Sequence, residues 1–129
     1  MAEKEIVRTE RAPAPFGGAP YNQAIRIGDL VFVAGHLGLR PGESTMVGDT
    51  IAEQTEQVLT NLGAILEEAG SSLDRLVKTT VFLARLDDFA GMNEVYARHV
   101  GDRPPARSTV EVSGLPSGAL VEIEAIAHL

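Results

Sequence analysis

Two stretches of this chain, Leu30-Val31-Phe32-Val33-Ala34 and Leu76 to Ala84 (LVKTTVFLA), are apolar on both faces that a strand presents. Successive side chains of a strand point to opposite sides, so each stretch needs cover above and below. In the second, Val77, Val81 and Leu83 oppose Leu76, Phe82 and Ala84. A sheet with one face left to water does not suit such strands.

The other elements follow from periodicity and punctuation. Ile6 to Thr9 is a short edge strand, and residues 10–20, with three prolines and two glycines, form a loop. Tyr21 to Ile27 and Leu30 to Gly35 read as a hairpin joined by Gly28-Asp29, the glycine supplying the positive φ of a two-residue turn. After a second loop, 36–49, apolar residues from Ile51 to Ala69 recur at three- and four-residue intervals. They predict a helix capped by Asp49 or Thr50 and ended by Gly70, with Gly63 allowing close packing. Asp87 or Asp88 caps a second helix running to about His99, with Phe89, Met92, Val95 and Tyr96 as its buried stripe. Ala106 to Val112 and Ala119 to His128 are the last two strands, separated by the turn Gly114-Leu115-Pro116-Ser117-Gly118.

The order predicts a single α+β domain over residues 1–129 around one mixed sheet of about six strands. Two helices cover only one face of such a sheet. Phe32 and Phe82 therefore predict a homo-oligomer in which another copy covers the second face.

Composition narrows the function. With 129 residues, a net charge of -7 and 11 scattered Lys and Arg, the chain lacks the basic patch of a phosphate-backbone binder. It has no cysteine, which excludes disulfides, thiolate metal sites and Cys nucleophiles. His36, His99 and His128 show no metal-ligand spacing, and neither a metal nor a cofactor is expected. Met1 to Glu5 is charged, unlike a secretory signal, and no apolar run approaches the ~20 residues that span a bilayer; a cytoplasmic protein with no membrane partner is expected.

Chemistry concentrates at Arg103-Pro104-Pro105-Ala106-Arg107-Ser108-Thr109. The prolines make a stiff lead-in, and Arg107 stands at the entrance of a strand with the Thr109 hydroxyl two residues along on its face. A guanidinium so placed grips a carboxylate with two parallel hydrogen bonds, or pairs with a nearby Glu on a solvated surface. Lys78, the one internal lysine, suits a sheet margin better than a Schiff base.

Several ordered segments carry a resemblance: Pro20-Tyr21-x-Gln23-Ala24, Val77-Lys78-Thr79-Thr80-Val81-Phe82, Leu86-Asp87-Asp88-Phe89 with Asn93 and Tyr96, Pro105-Ala106-Arg107-Ser108, and Val121 to Ala127. From about Thr9 to Ala127 the chain resembles the RidA family, also called YjgF and in older usage endoribonuclease L-PSP. The resemblance implies a chorismate-mutase-like fold, assembled as a homotrimer with active sites in clefts between subunits. It also implies hydrolytic deamination of reactive 2-imino and enamine acids, such as 2-aminoacrylate and 2-iminopropanoate, to 2-keto acids and ammonia.

By that resemblance Arg107 binds the substrate carboxylate, Glu122 handles water and protons, and Tyr21 and Asn93 flank the substrate, with Thr109 and Ala34 lining the pocket. Packing remains the alternative for Tyr21, backbone satisfaction for Asn93, and pairing with Arg107 for Glu122. The chain departs from the family's pattern at Ala34, where Ser is common, at Thr109, where Cys is common, and at His36, which replaces a Gln. Two other functions compete: a non-catalytic binder of small carboxylates, and an endoribonuclease, against which the acidic charge counts.

Overall fold

The computed structural model describes residues 3–129. The strands are β1 (Glu5–Val7), β2 (Ala24–Ile27), β3 (Leu30–His36), β4 (Leu76–Leu83), β5 (Ala106–Glu111) and β6 (Val121–His128), with helices α1 (Ile51–Glu68) and α2 (Phe89–Val100). They form one six-stranded mixed sheet in the order β1-β2-β3-β6-β4-β5, an α+β architecture. Every neighbouring pair is antiparallel except β4 and β5, which the α2 crossover makes parallel.

Local chemistry explains the element ends. Gly28, at φ 55°, closes the β2–β3 hairpin between the paired Ile27 and Leu30. Thr50 caps α1 reciprocally: its hydroxyl accepts the Glu53 N–H at 3.1 Å, and the Glu53 carboxylate accepts the Thr50 N–H at 3.3 Å. At the other end Gly70, at φ 87°, lets the Ser71 N–H reach Leu66 O at 2.8 Å and its own N–H reach Glu67 O at 3.0 Å, a Schellman closure. Leu73 packs on Gly63 at 3.4 Å from where a Cβ would stand.

Both helices lie on one face of the sheet. Val31, Val33, Val81, Leu83, Val121 and Ile123 meet Val58, Leu62, Ile65 and Met92 there in a dry core. The opposite face carries no helix, and Phe32 and Val110 on it are 42% and 43% exposed. The expectation of an uncovered second face therefore holds.

Several details differ from the sequence expectation: the strand expected from Tyr21 begins at Ala24, and the one expected from Ala119 begins at Val121. Alternation through Leu76–Ala84 puts Val77 in phase with Val81, but a register shift between Leu76 and Lys78 reverses the first residues. Leu76 is consequently buried at 6% exposure and Val77 stands 45% exposed. Neither Asp87 nor Asp88 caps α2 through its side chain: a 3₁₀ turn over Leu86–Asp88 satisfies the Phe89 N–H on Leu86 O, and Asp87 instead accepts from Arg85 at 2.8 Å. Phe89, expected in the buried stripe, is 40% exposed, while Met92, Val95 and Tyr96 are buried as expected.

Candidate active site

The expected site residues fall into two groups on opposite faces of the sheet. Glu122, on β6, pairs with Phe82 and points to the helix-free face, as does Ala34 on β3. An irregularity in β3 between Val33 and His36 brings Gly35 beneath Glu122. A Cβ built on Gly35 would overlap the Glu122 carboxylate and stand 2.9 Å from its Cδ, so only glycine leaves room for that side chain. Burial, aided by repulsion from Glu124, raises the Glu122 pKa above the ordinary carboxylate value.

Tyr21 joins this group from the loop before β2. Its hydroxyl accepts the Phe16 N–H at 2.6 Å, which leaves its own proton free to donate. The loop is pinned from beneath by Gln23, which accepts the Thr9 N–H at 2.7 Å and donates to Thr9 O, Ala12 O and Pro13 O at 2.8–3.1 Å. Tyr21, Ala34, Gly35 and Glu122 line a cavity of about 370 Å³, walled otherwise mainly by apolar residues that include Phe16, Leu37, Leu39 and Pro116. His36 also lines it, but its Nε2 is buried without a partner. Burial lowers the His36 pKa from 6.5 to about 4, against a smaller opposite effect of the Gln23 backbone, so the ring is neutral at pH 7.

The second group gathers at the outer edge of the sheet. Arg107 and Thr109 on β5 pair with the buried Thr79 and Val81, so their side chains face the helices. The Arg107 guanidinium lies over the Tyr96 ring at 4.8 Å and the Phe89 ring at 5.4 Å from the centroids. Tyr96 is held in turn by a 2.6 Å hydrogen bond between its hydroxyl and Thr79 Oγ1. Asn93 occupies the turn of α2 between the two rings, one face of the helix carrying all three residues, and its Oδ1 is buried without a partner.

Within one chain the structure thus gathers Tyr21, Ala34 and Glu122, and separately Arg107, Asn93 and Thr109. It does not bring Arg107 to Glu122, and among the described residues neither belongs to an ion pair. Among those residues no cluster of three His, Asp or Glu could hold a metal ion. No described helix is long and apolar enough to cross a membrane.

Sequence reasoning misses the supports. Gln54 and Asn61 are buried in α1: Asn61 donates to Leu37 O at 3.2 Å and Leu39 O at 2.9 Å, and Gln54 bridges Gly48 O and the Leu120 N–H. Their signal is two amides seven residues apart on a mainly apolar stripe. Phe89 and Gly35 carry no comparable signal, since their roles depend on a partner strand.

Comparison with known proteins shows what the chain is similar to. The family described as Endoribonuclease L-PSP matches residues 9–129. A RutC family protein of Pyrococcus abyssi is 52% identical over 97% of this chain and 97% of its own length. The 2-iminobutanoate/2-iminopropanoate deaminase of Bos taurus is 41% identical over 96% of this chain and 89% of that protein. RidA from the Antarctic bacterium Psychrobacter superposes with a TM-score of 0.91 at 40% identity, covering 97% of this chain and 99% of that one. With a matching fold and identity sustained along nearly its full length, the chain belongs to the RidA/YjgF family, also known as endoribonuclease L-PSP.

Proposed function

We propose that this chain hydrolyses reactive 2-imino and enamine acids, such as 2-aminoacrylate and 2-iminopropanoate, to 2-keto acids and ammonia, in clefts shared between copies of a cytoplasmic homotrimer. The observation that carries this reading is the placement of Arg107 and Glu122 on opposite faces of one sheet, each without an ionic partner among the described residues. A cleft holding both requires Arg107 from one copy and Glu122 from the next. A contact between an edge and a face is head-to-tail, and such contacts close into a ring when the rotation between copies is a whole fraction of a turn, as in a trimer. The apolar face with Phe32 and Val110 supplies the surface, and the deaminase name of the Bos taurus relative supports the chemistry.

The residues divide the reaction between them. Arg107, flattened on two rings, presents its fork to the substrate carboxylate and fixes the imine carbon, while Asn93 and Thr109 border that end. An enamine enters after protonation at C3. Glu122 takes a proton from water as the water oxygen bonds to C2, and returns it to the nitrogen. Tyr21, its hydroxyl proton free, donates to the same nitrogen. The C–N bond of the carbinolamine then breaks, its hydroxyl proton passes by way of Glu122 to the Tyr21 oxygen, and 2-keto acid and ammonia leave with both groups restored. The imine is already electrophilic, so a carboxylate base and a carboxylate clamp suffice, with no cofactor.

Complementation tests the shared cleft. Arg107→Ala and Glu122→Gln are each expected to abolish keto-acid release from imines generated in situ. Co-produced mixed assemblies regain a share of the activity, because one cleft then combines Arg107 and Glu122 from different chains. Verified mixed assemblies with no regained activity would sink the shared cleft. A wild-type rate equal to the buffer background, with 2-keto acids still binding in calorimetry, would replace catalysis by simple binding of carboxylates.

A further inference from the structure

We infer that the site selects 2-imino acids whose side chain is apolar and carries three or more carbons, over the methyl-bearing 2-iminopropanoate. The inference rests on the imine-hydrolase reading above and goes on to name the substrate class. C2 of a 2-imino acid has three substituents. Arg107 of a second copy takes the carboxylate, and Tyr21 and Glu122 present polar groups to the cavity, where nitrogen and water react. The third substituent is left facing the apolar part of the wall, which Leu37, Leu39 and Pro116 supply. At about 370 Å³ the cavity falls in the range of pockets that enclose small-molecule ligands, roughly 300–1,000 Å³, and a methyl group fills little of it.

That apolar part is preformed. Leu37, Leu39 and Ala119 pack as a small cluster apart from the main core, and the buried Asn61 holds the carbonyls of both leucines. It also offers nothing to a polar side chain. Besides Tyr21 and Glu122 the only polar side chain on the lining is His36, whose Nε2 is buried, so a hydroxyl or amide placed there would lose most of its water partners. An acidic side chain would meet the Glu122 carboxylate and a chain of net charge -7.

The test is a series of 2-imino acids generated in situ with methyl, ethyl, isobutyl and carboxyethyl side chains, each rate divided by its buffer rate. Burial of a methylene corresponds to about fourfold in kcat/KM, so isobutyl should exceed methyl by on the order of 10- to 100-fold, with carboxyethyl lowest. Leu39→Phe, which fills the apolar part, should cut the isobutyl-to-methyl ratio at least tenfold. Calorimetry with the stable 2-keto acids of the same series should give the same order of affinity. A flat series, or methyl fastest with pyruvate bound tightest, overturns the inference and leaves the imine-hydrolase reading standing. Background rates throughout, with 4-methyl-2-oxopentanoate still bound more tightly than pyruvate, overturn the hydrolase reading and keep the pocket's selectivity.

Discussion

The Glu122 carboxylate rests against the α-carbon of Gly35, in the space that any side chain at position 35 would need. The group in the way is the free end of a flexible side chain, so relief is cheap in stability and costly in placement. Gly35→Ala should keep its unfolding free energy within ~1 kcal/mol of wild type and lose on the order of 10- to 100-fold in kcat. Gly38 makes the contrast. A Cβ there stands 2.9 Å from Gln54 Cα and 3.0 Å from its carbonyl oxygen, backbone that cannot swing away. Gly38→Ala should therefore destabilise by ~1–3 kcal/mol. Urea midpoints beside steady-state rates separate the two outcomes.

Arg107 depends on the ring of Tyr96 more than on its hydroxyl. Tyr96→Phe keeps the 4.8 Å stacking and removes the bond to Thr79, which should cost ~1 kcal/mol of stability and leave KM within about twofold. Arg107→Lys loses both the fork and the stacking, and its KM for any 2-imino acid should rise at least tenfold. A Tyr96→Phe variant with the KM of Arg107→Lys would show the hydroxyl to be the true support.

The two perturbed groups of the cavity give opposite pH behaviour. Glu122 has a raised pKa, so the acidic limb of the wild-type kcat/KM profile should lie above the ordinary carboxylate range. In stability, a raised folded pKa gives a contribution fully present below the unfolded value and lost as pH rises through the folded one. Glu122→Gln should therefore melt higher than wild type at pH 7, the gap closing in acid. His36 is the reverse: with a pKa lowered from 6.5 to about 4, its contribution is present above 6.5 and lost as pH falls towards 4. A drop of about 2.5 corresponds to ~3 kcal/mol, and His36→Gln should flatten the melting-temperature profile across that window.

Asn61 should prove the costliest polar residue to truncate in α1. Asn61→Ala leaves Leu37 O and Leu39 O without their buried donor, a loss of ~2–4 kcal/mol. The loop it anchors should loosen, which hydrogen exchange would show as faster loss of the Val47 amide that donates to Gly38 O at 2.8 Å. Unchanged Val47 protection would mean that the loop is held by its apolar contacts instead.

Read alone, the residues determined everything governed by neighbours in the chain. The helix from Ile51 to Glu68 follows from its stripe, its start from the pair Asp49-Thr50, of which Thr50 caps, its end from Gly70, and the β2–β3 turn from Gly28-Asp29. The helix-free sheet face followed too, because alternation within β3 and β4 needs no partner to be counted. Tertiary structure decided what crosses from one element to another. Alternation tells which side chains of one strand share a face, but not which face of the next strand matches it; pairing register sets that, as the irregularity at Leu76 and Val77 shows. Arg107 and Glu122 could thus be chosen from the sequence as chemistry, while their separation onto opposite faces, the burial of Gln54 and Asn61, and the exposure of Phe89 to Arg107 arose only when β4, the strand between β5 and β6, took its place.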